Sequence, residues 1–254
     1  MKIEVVTLFP EMIAGALRFG IVSRAIGRAL VSVGTEDPRA HTNDVHRTVD
    51  DRPYGGGPGM VMKPEPLVAA IRAASARLPQ GSPRVYLSAQ GEPFGQSVAQ
   101  ELAQLPGLLL VAGRYEGVDE RVIEVAIDRE LSVGDYVLSG GELPALTVID
   151  ALVRLLPGAL GDERSSVEES FVEGLLDWPH YTRPEVFEDR SVPAVLLSGD
   201  HAGIRTWRLH QAFARTLARR PQLLEGAKLA PQLRRAWDEF LAARAAGPDR
   251  GKDL

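Results

Sequence analysis

Residues 2–8 (KIEVVTL) form a short apolar run that stops at Pro10, the pattern of a buried strand. Residues 84–88 (RVYLS) and 108–112 (LLLVA) repeat it, each soon followed by glycine, and residues 131–138 are strand-like as well. Apolar residues at helical spacing predict helices over 14–29, 94–105, 118–127 and 142–156. Strands alternating with helices predict an α/β fold, a parallel sheet with helices on its faces. Residues 159–173 (ALGDERSSVEESFVE) break the pattern: they are polar and acidic with no sustained apolar period, and read as a linker. Beyond them, 203–220 and 231–246 read as helices, and the tail GPDRGKDL is expected to fray. The expected organisation is a sheet domain over 1–158, a linker over 159–176 and a small all-helical domain over 177–254.

Composition narrows the class. With 254 residues the chain is long enough for a sizeable core. Its 44% hydrophobic and 25% charged content is that of an ordinary globular protein. Cysteine is absent, so disulfides and thiolate zinc sites are excluded and a reducing compartment fits. The opening MKIEVVTLFPEM is not a signal peptide, and no apolar stretch is long enough to span a bilayer. A cytoplasmic protein is expected. The net charge of −5 argues at first against a nucleic-acid partner, but it is unevenly spread. Residues 1–158 hold 15 basic and 19 acidic side chains, 159–176 hold one and five, and 177–254 hold 13 and 10. The last third is therefore basic on an acidic protein.

Three glycine-bearing loops follow predicted strands: 88–95 (SAQGEPFG), 113–117 (GRYEG) and 132–141 (SVGDYVLSGG). Ligands of open α/β sheets bind beyond the carboxyl ends of the strands. Glycine lets the backbone approach a flat ligand and read its edge, although any one of these loops is equally an ordinary turn. None matches G-x-G-x-x-G or a Walker A loop, which counts against dinucleotides and nucleoside triphosphates. Residues 52–60 (RPYGGGPGM) carry little side chain, so either a bulky partner meets their backbone or they are a plain surface loop. Arg205, Arg208, Arg215 and Arg219 share one helical face, and no acidic residue occurs between His201 and Leu224. A single-sign stripe suggests phosphate contact, where a solvated face would mix signs. Glu168 and Glu169 in the linker would repel phosphate; a general base, a magnesium site or a plain solvated linker are the readings open to them.

Taken together, TLFPEM at the start, HRTVDDRPYGGGPGM at 46–60, GRYEGVDERV at 113–122, SVGDYVLSGGELPA at 132–145, EGLLDWPHYTRPEV at 173–186 and VLLSGDHAGIRTWRL at 195–209 resemble the bacterial tRNA guanine-37 N1-methyltransferases, the TrmD family of the knotted SPOUT class. The resemblance runs over nearly the whole chain. It implies a deep trefoil knot, S-adenosylmethionine as co-substrate, magnesium dependence, and a homodimer with active sites at the subunit interface. It implies a donor pocket built from Tyr86, Leu87, Ser88, Gly113, Tyr115, Glu116, Gly117, Ser132, Val133, Gly134, Asp135, Tyr136, Val137, Leu138, Gly140, Gly141 and Pro144, with no assignable metal ligands. It assigns catalysis to Arg154 and Glu169, and tRNA contact to Gly55, Gly56, Gly59, Arg183 and the four arginines of the stripe. The family commonly has Asp where this chain has Glu169, so neighbouring Glu168 is a rival. It commonly has proline where this chain has Ala89, which loses rigidity but no polar contact. By itself Arg154 reads as an ion-pair partner within its helix.

Two rival functions remain at this level. A nucleotide-dependent oxidoreductase would need the missing glycine fingerprint. A catalytically silent RNA-binding protein of the same fold would bind tRNA without methylating it.

Overall fold

A computed structural model describes residues 1–161, 170–171, 174–224 and 231–246. The chain divides into two compact units, Met1–Glu163 and Arg164–Leu254. Among the described residues no helix is long and apolar enough to cross a membrane.

The first unit is an α/β layer structure. Five strands, β1 (Lys2–Val6), β2 (Ser32–Glu36), β5 (Arg84–Pro93), β6 (Gly107–Ala112) and β7 (Arg129–Ser132), form one sheet in the order β2-β1-β6-β5-β7. Every pairing is parallel. The central strand β6 is buried along its whole length, which is why GLLLVA shows no polar alternation. Leu108 and Leu110 face one core, with α1 (Pro10–Ala16), α2 (Gly20–Gly27), α4 (Gln96–Ala103) and α6 (Glu142–Leu155). Leu109 and Val111 face the other, with α3 (Pro64–Ser75) and α5 (Glu120–Ala126). The one buried charge in β1, Glu4, is met by Arg77 at 2.6 Å, and Arg77 also reaches Glu36 at 2.6 Å.

Several expected elements change. The helix expected over 14–29 is two helices, because Gly20 opens α2 with φ +69°, a left-handed conformation that interrupts a helix. The strand expected over 131–138 ends at Ser132; Tyr136, Val137 and Leu138 are exposed and the segment runs on as a loop. Strand β5 continues through the expected first loop to Pro93, with a register shift against β7 between Leu87 and Glu92. β2 and α3 were not foreseen. β2 is a half-buried edge strand of polar sequence, and α3 opens on the prolines of PEP, which a helix tolerates in its first turn.

The second unit is not wholly helical. Val186–Phe187 (β8) and Arg190–Ser191 (β9) form a hairpin. Glu188 and Asp189 close it with φ +48° and +59°, the two positive values a tight turn of this hand requires. Helices α7 (Ala194–Leu197), α8 (His201–Arg219) and α9 (Pro231–Ala246) follow. Leu175, Ala212, Phe213 and Phe240 make a small core, with Trp237 packed edge-on to Phe213 at 5.1 Å. Ala159, at the start of the expected linker, is buried in the first unit's core.

Candidate active site

Strand β5, around its register shift, and the loops after β6 and β7 line one cleft of about 270 Å³. It brings together Tyr86, Leu87, Ser88, Gly113, Tyr115, Glu116, Gly117, Ser132, Val133, Gly134, Tyr136, Val137, Leu138, Gly140, Gly141 and Pro144. Asp135, expected among them, is exposed and outside the lining. Arg114, Glu120 and Glu130 line the cleft and were not singled out. Arg114 and Glu120 were within reach, since both lie inside the GRYEGVDERV motif.

Five of the lining residues are glycines, and close packing fixes their backbone. Gly141 N–H donates to Gly113 O at 2.9 Å. A Cβ on Gly141 would lie 2.6 Å from Ala112 Cα, so no side chain fits where the third loop passes β6. A buried polar chain fixes the same corner. Glu142, fully buried at the start of α6, accepts from Thr7 Oγ1 at 2.8 Å and from Arg114 Nε at 2.8 Å. Arg114 in turn donates to Ser139 O at 3.1 Å and lies over the Phe9 ring at 4.3 Å. A buried carboxylate is tolerable only with such partners, and removing one would strand the other. The network thus ties the ends of β1 and β6 to the third loop.

The lining is acidic: Glu116, Glu120 and Glu130 stand against Arg114. Burial, with the Glu130 and Glu120 carboxylates adding to it, pushes the Tyr86 phenol up to about 12, so it stays neutral at physiological pH. The Tyr115 phenol is also raised, by burial first and then by Asp50. The glycine loop over 52–60 is pinned beside this cleft. Its flanks pair as β3 (Asp50–Asp51) and β4 (Val61–Met62), and Glu116 N–H donates to Met60 O at 2.9 Å. Gly55, Gly56 and Gly59 all have positive φ; a Cβ would meet open space at the first two and the Glu116 side chain at Gly59.

Arg154 is half-buried in the last turn of α6 and is not part of the cleft lining. Glu168 and Glu169 lie outside the described residues. Among the described residues no group of three or more His, Asp or Glu is set to hold a metal ion. In the second unit, Arg205 and Arg219 are exposed, Arg215 is half-buried, and Arg208 turns its guanidinium over Trp178 at 5.0 Å. Arg183 is exposed on the segment before β8.

A family profile described as tRNA (Guanine-1)-methyltransferase TrmD matches residues 1–226. The tRNA (guanine-N(1)-)-methyltransferase of Methylococcus capsulatus is 57% identical over 240 residues, covering 94% of this chain and 96% of its own. The protein of the same name from Halorhodospira halophila is 54% identical over 252 residues, covering 99% and 96%. That of Edwardsiella ictaluri is 54% identical over 249 residues, covering 98% of each chain. With the profile spanning most of the sequence and relatives aligned nearly end to end, the chain belongs to the tRNA (guanine-1)-methyltransferase TrmD family.

Proposed function

We propose that the protein transfers the methyl group of S-adenosylmethionine to N1 of guanine 37 in tRNA, beside the anticodon. Membership of the family supplies the reaction class, methylation of guanine N1 in tRNA, and neither rival class is favoured. The observation that carries the choice of donor is the make-up of the cleft. Five of its lining residues are glycines, which let the backbone approach a flat purine. Its excess of carboxylates over Arg114 suits a ligand with a positively charged sulfonium.

The chemistry needs a base. Neutral guanine carries a proton on N1, and its lone pair is free only once that proton is removed. The carboxylate of Glu169 is assigned the removal. The negative charge left on O6 is assigned to the guanidinium of Arg154. The N1 lone pair then bonds to the methyl carbon as the carbon–sulfur bond breaks, and the sulfur leaves as a neutral thioether. The magnesium dependence implied by the resemblance finds no ligand cluster among the described residues, and no step is routed through an ion.

A homodimer with its active site at the subunit interface fits this scheme. Arg154 stands ten residues beyond the cleft residue Pro144 on one helix, about 15 Å along the axis. In a homodimer the linker carboxylate and C-terminal unit of one subunit can meet the cleft of the other. Phe9, Met12, Phe19 and Ile26, on and around α1 and α2, are all exposed, the kind of apolar patch a partner covers. The trefoil knot is assigned to the passage of 133–141 past the end of β6, supported by the close approach at Gly141. Gly55, Gly56, Gly59, Arg183 and the α8 arginines are assigned to tRNA, and a tRNA substrate supports a cytoplasmic location.

The test is methyl transfer from labelled donor to unmodified tRNA, with the product base located by nuclease digestion and mass spectrometry. The reading expects 1-methylguanine at position 37; no product, or product elsewhere, overturns it. Glu169→Gln is expected to slow single-turnover transfer by roughly 10²–10⁴-fold with donor and tRNA affinity kept. Glu168→Gln is expected to cost far less. The reverse pattern would move the base to Glu168.

A further inference from the structure

The second unit has a cavity of its own, of about 480 Å³, between the segment 178–185 and the start of α8. We propose that it holds one unstacked nucleotide of the RNA substrate, with the base against Trp178, Tyr181 and Trp207 and the phosphate on Arg208 and Arg183. The proposal rests on the reading of tRNA as substrate and adds a second point of contact, away from the methyl-donor cleft.

Four observations carry it. The volume lies in the range of small-ligand pockets. Tyr181 and Trp207 stand 6.3 Å apart at 54°, tilted and not face to face, so each keeps ring face available for stacking. None of the three rings belongs to the small core around Phe213; Trp178 is shared with Arg208 at 5.0 Å and His180 at 5.8 Å, and Tyr181 is 49% exposed. Finally, Arg208 Nε is buried yet has no hydrogen-bond partner among the described residues. A buried N–H of a cation without an acceptor is costly, and a reorientation of the Arg208 guanidinium onto a phosphate or base oxygen in the cavity would satisfy it.

The charge agrees. His180, Arg183 and Arg208 line the cavity against the single carboxylate of Glu185, and His180 is already tied to Asp177 at 2.7 Å. That leaves two arginines for an anion. Aromatic rings combined with arginine are the usual means of gripping single-stranded RNA, where splayed bases stack on side chains and the backbone meets cations. Arg208 is thereby separated from the other arginines of α8: it serves the cavity, while Arg205 and Arg219 face solvent.

The chain has three tryptophans, and Trp237 lies in the core around Phe213. A Trp237→Phe variant therefore confines indole emission to the cavity. Titration of this full-length variant with unmodified tRNA is expected to quench the emission saturably; S-adenosylmethionine alone is expected to leave it unchanged. In the otherwise unaltered enzyme, Trp207→Ala and Arg208→Gln are each expected to raise KM for tRNA roughly 5- to 150-fold, with kcat at saturating tRNA and donor affinity kept. Trp207→Phe, which keeps a stacking face, is expected to recover most of the loss and guards against a folding defect. Normal methylation with no quenching and unchanged KM overturns the proposal. So does emission that ignores tRNA but shifts on dilution of the protein, because the cavity is then covered by protein. If tRNA is neither bound nor methylated, the functional reading itself fails, and the proposal with it.

Discussion

Tyr86 links the cleft to stability in a way that pH can read. Its phenol is buried, and the folded protein holds the proton up to about pH 12, whereas an unfolded tyrosine releases it near pH 10. Below about pH 10 both states are protonated and the stabilisation is fully present. Between about 10 and 12 the unfolded state binds fewer protons, so stability falls as pH rises, by about 2–3 kcal/mol in all. Urea midpoints measured across this window are expected to drop more steeply for the native protein than for Tyr86→Phe; equal slopes would show that Tyr86 contributes nothing. Much of the cleft was legible at this scale, because its lining is concentrated in three glycine-bearing loops that can be read as runs. Asp135 stands outside that lining, since adjacency within SVGDYVLSGG does not say which way a side chain points. The buried chain from Thr7 through Glu142 to Arg114 was illegible, because it joins residues 135 and 28 positions apart and no local pattern announces either bond.

Among the elements, α8 shows both what periodicity gives and what it omits. Asp200 caps the helix, accepting from Ala202 N–H at 3.0 Å, and its two ends lie within two residues of those expected. Helical spacing correctly put four arginines on one face, but it could not separate those facing solvent from the one turned over Trp178. Arg205 and Arg219 are the exposed pair. Replacing both with alanine is expected to lower the log–log salt slope of tRNA binding by about 0.7–0.9 for each phosphate no longer neutralised, without changing donor affinity. A slope that stays at the native value would leave the pair facing solvent only. Helix α3 escaped the sequence reading although Leu67, Ala70, Ile71 and Ala74 carry a clear apolar stripe, because the prolines at 64 and 66 look like a break. Strand β2 escaped because an edge strand lacks the apolar run that marks the centre of a sheet.

For the molecule as a whole, a net charge of −5 conceals a basic last third. Sheet class was legible from alternation alone, whereas a knot and a dimer are expected from the resemblance only, since neither chain threading nor a partner's surface leaves a periodic trace. Sedimentation is expected to give twice the 27.5 kDa chain mass at working concentrations, and a stable, active monomer would remove the interface reading. The strand order has a further consequence, for synthesis. β1 is flanked by β2 and β6, and the pairing of Lys2 with Gly107 spans a hundred residues of chain. At about 5–20 residues per second the ribosome takes roughly 5–20 s to deliver that partner, and β7, on the far side of β5, comes later still. During that interval the nascent chain holds two adjacent strands without the central one, their apolar faces open to water. Parallel pairing of distant segments is slow for the same reason, because the entropy of loop closure must be met before any pairing offsets it. The sheet therefore cannot close before residue 107 has emerged, and until then the apolar faces of β1 and β2 lack their central partner.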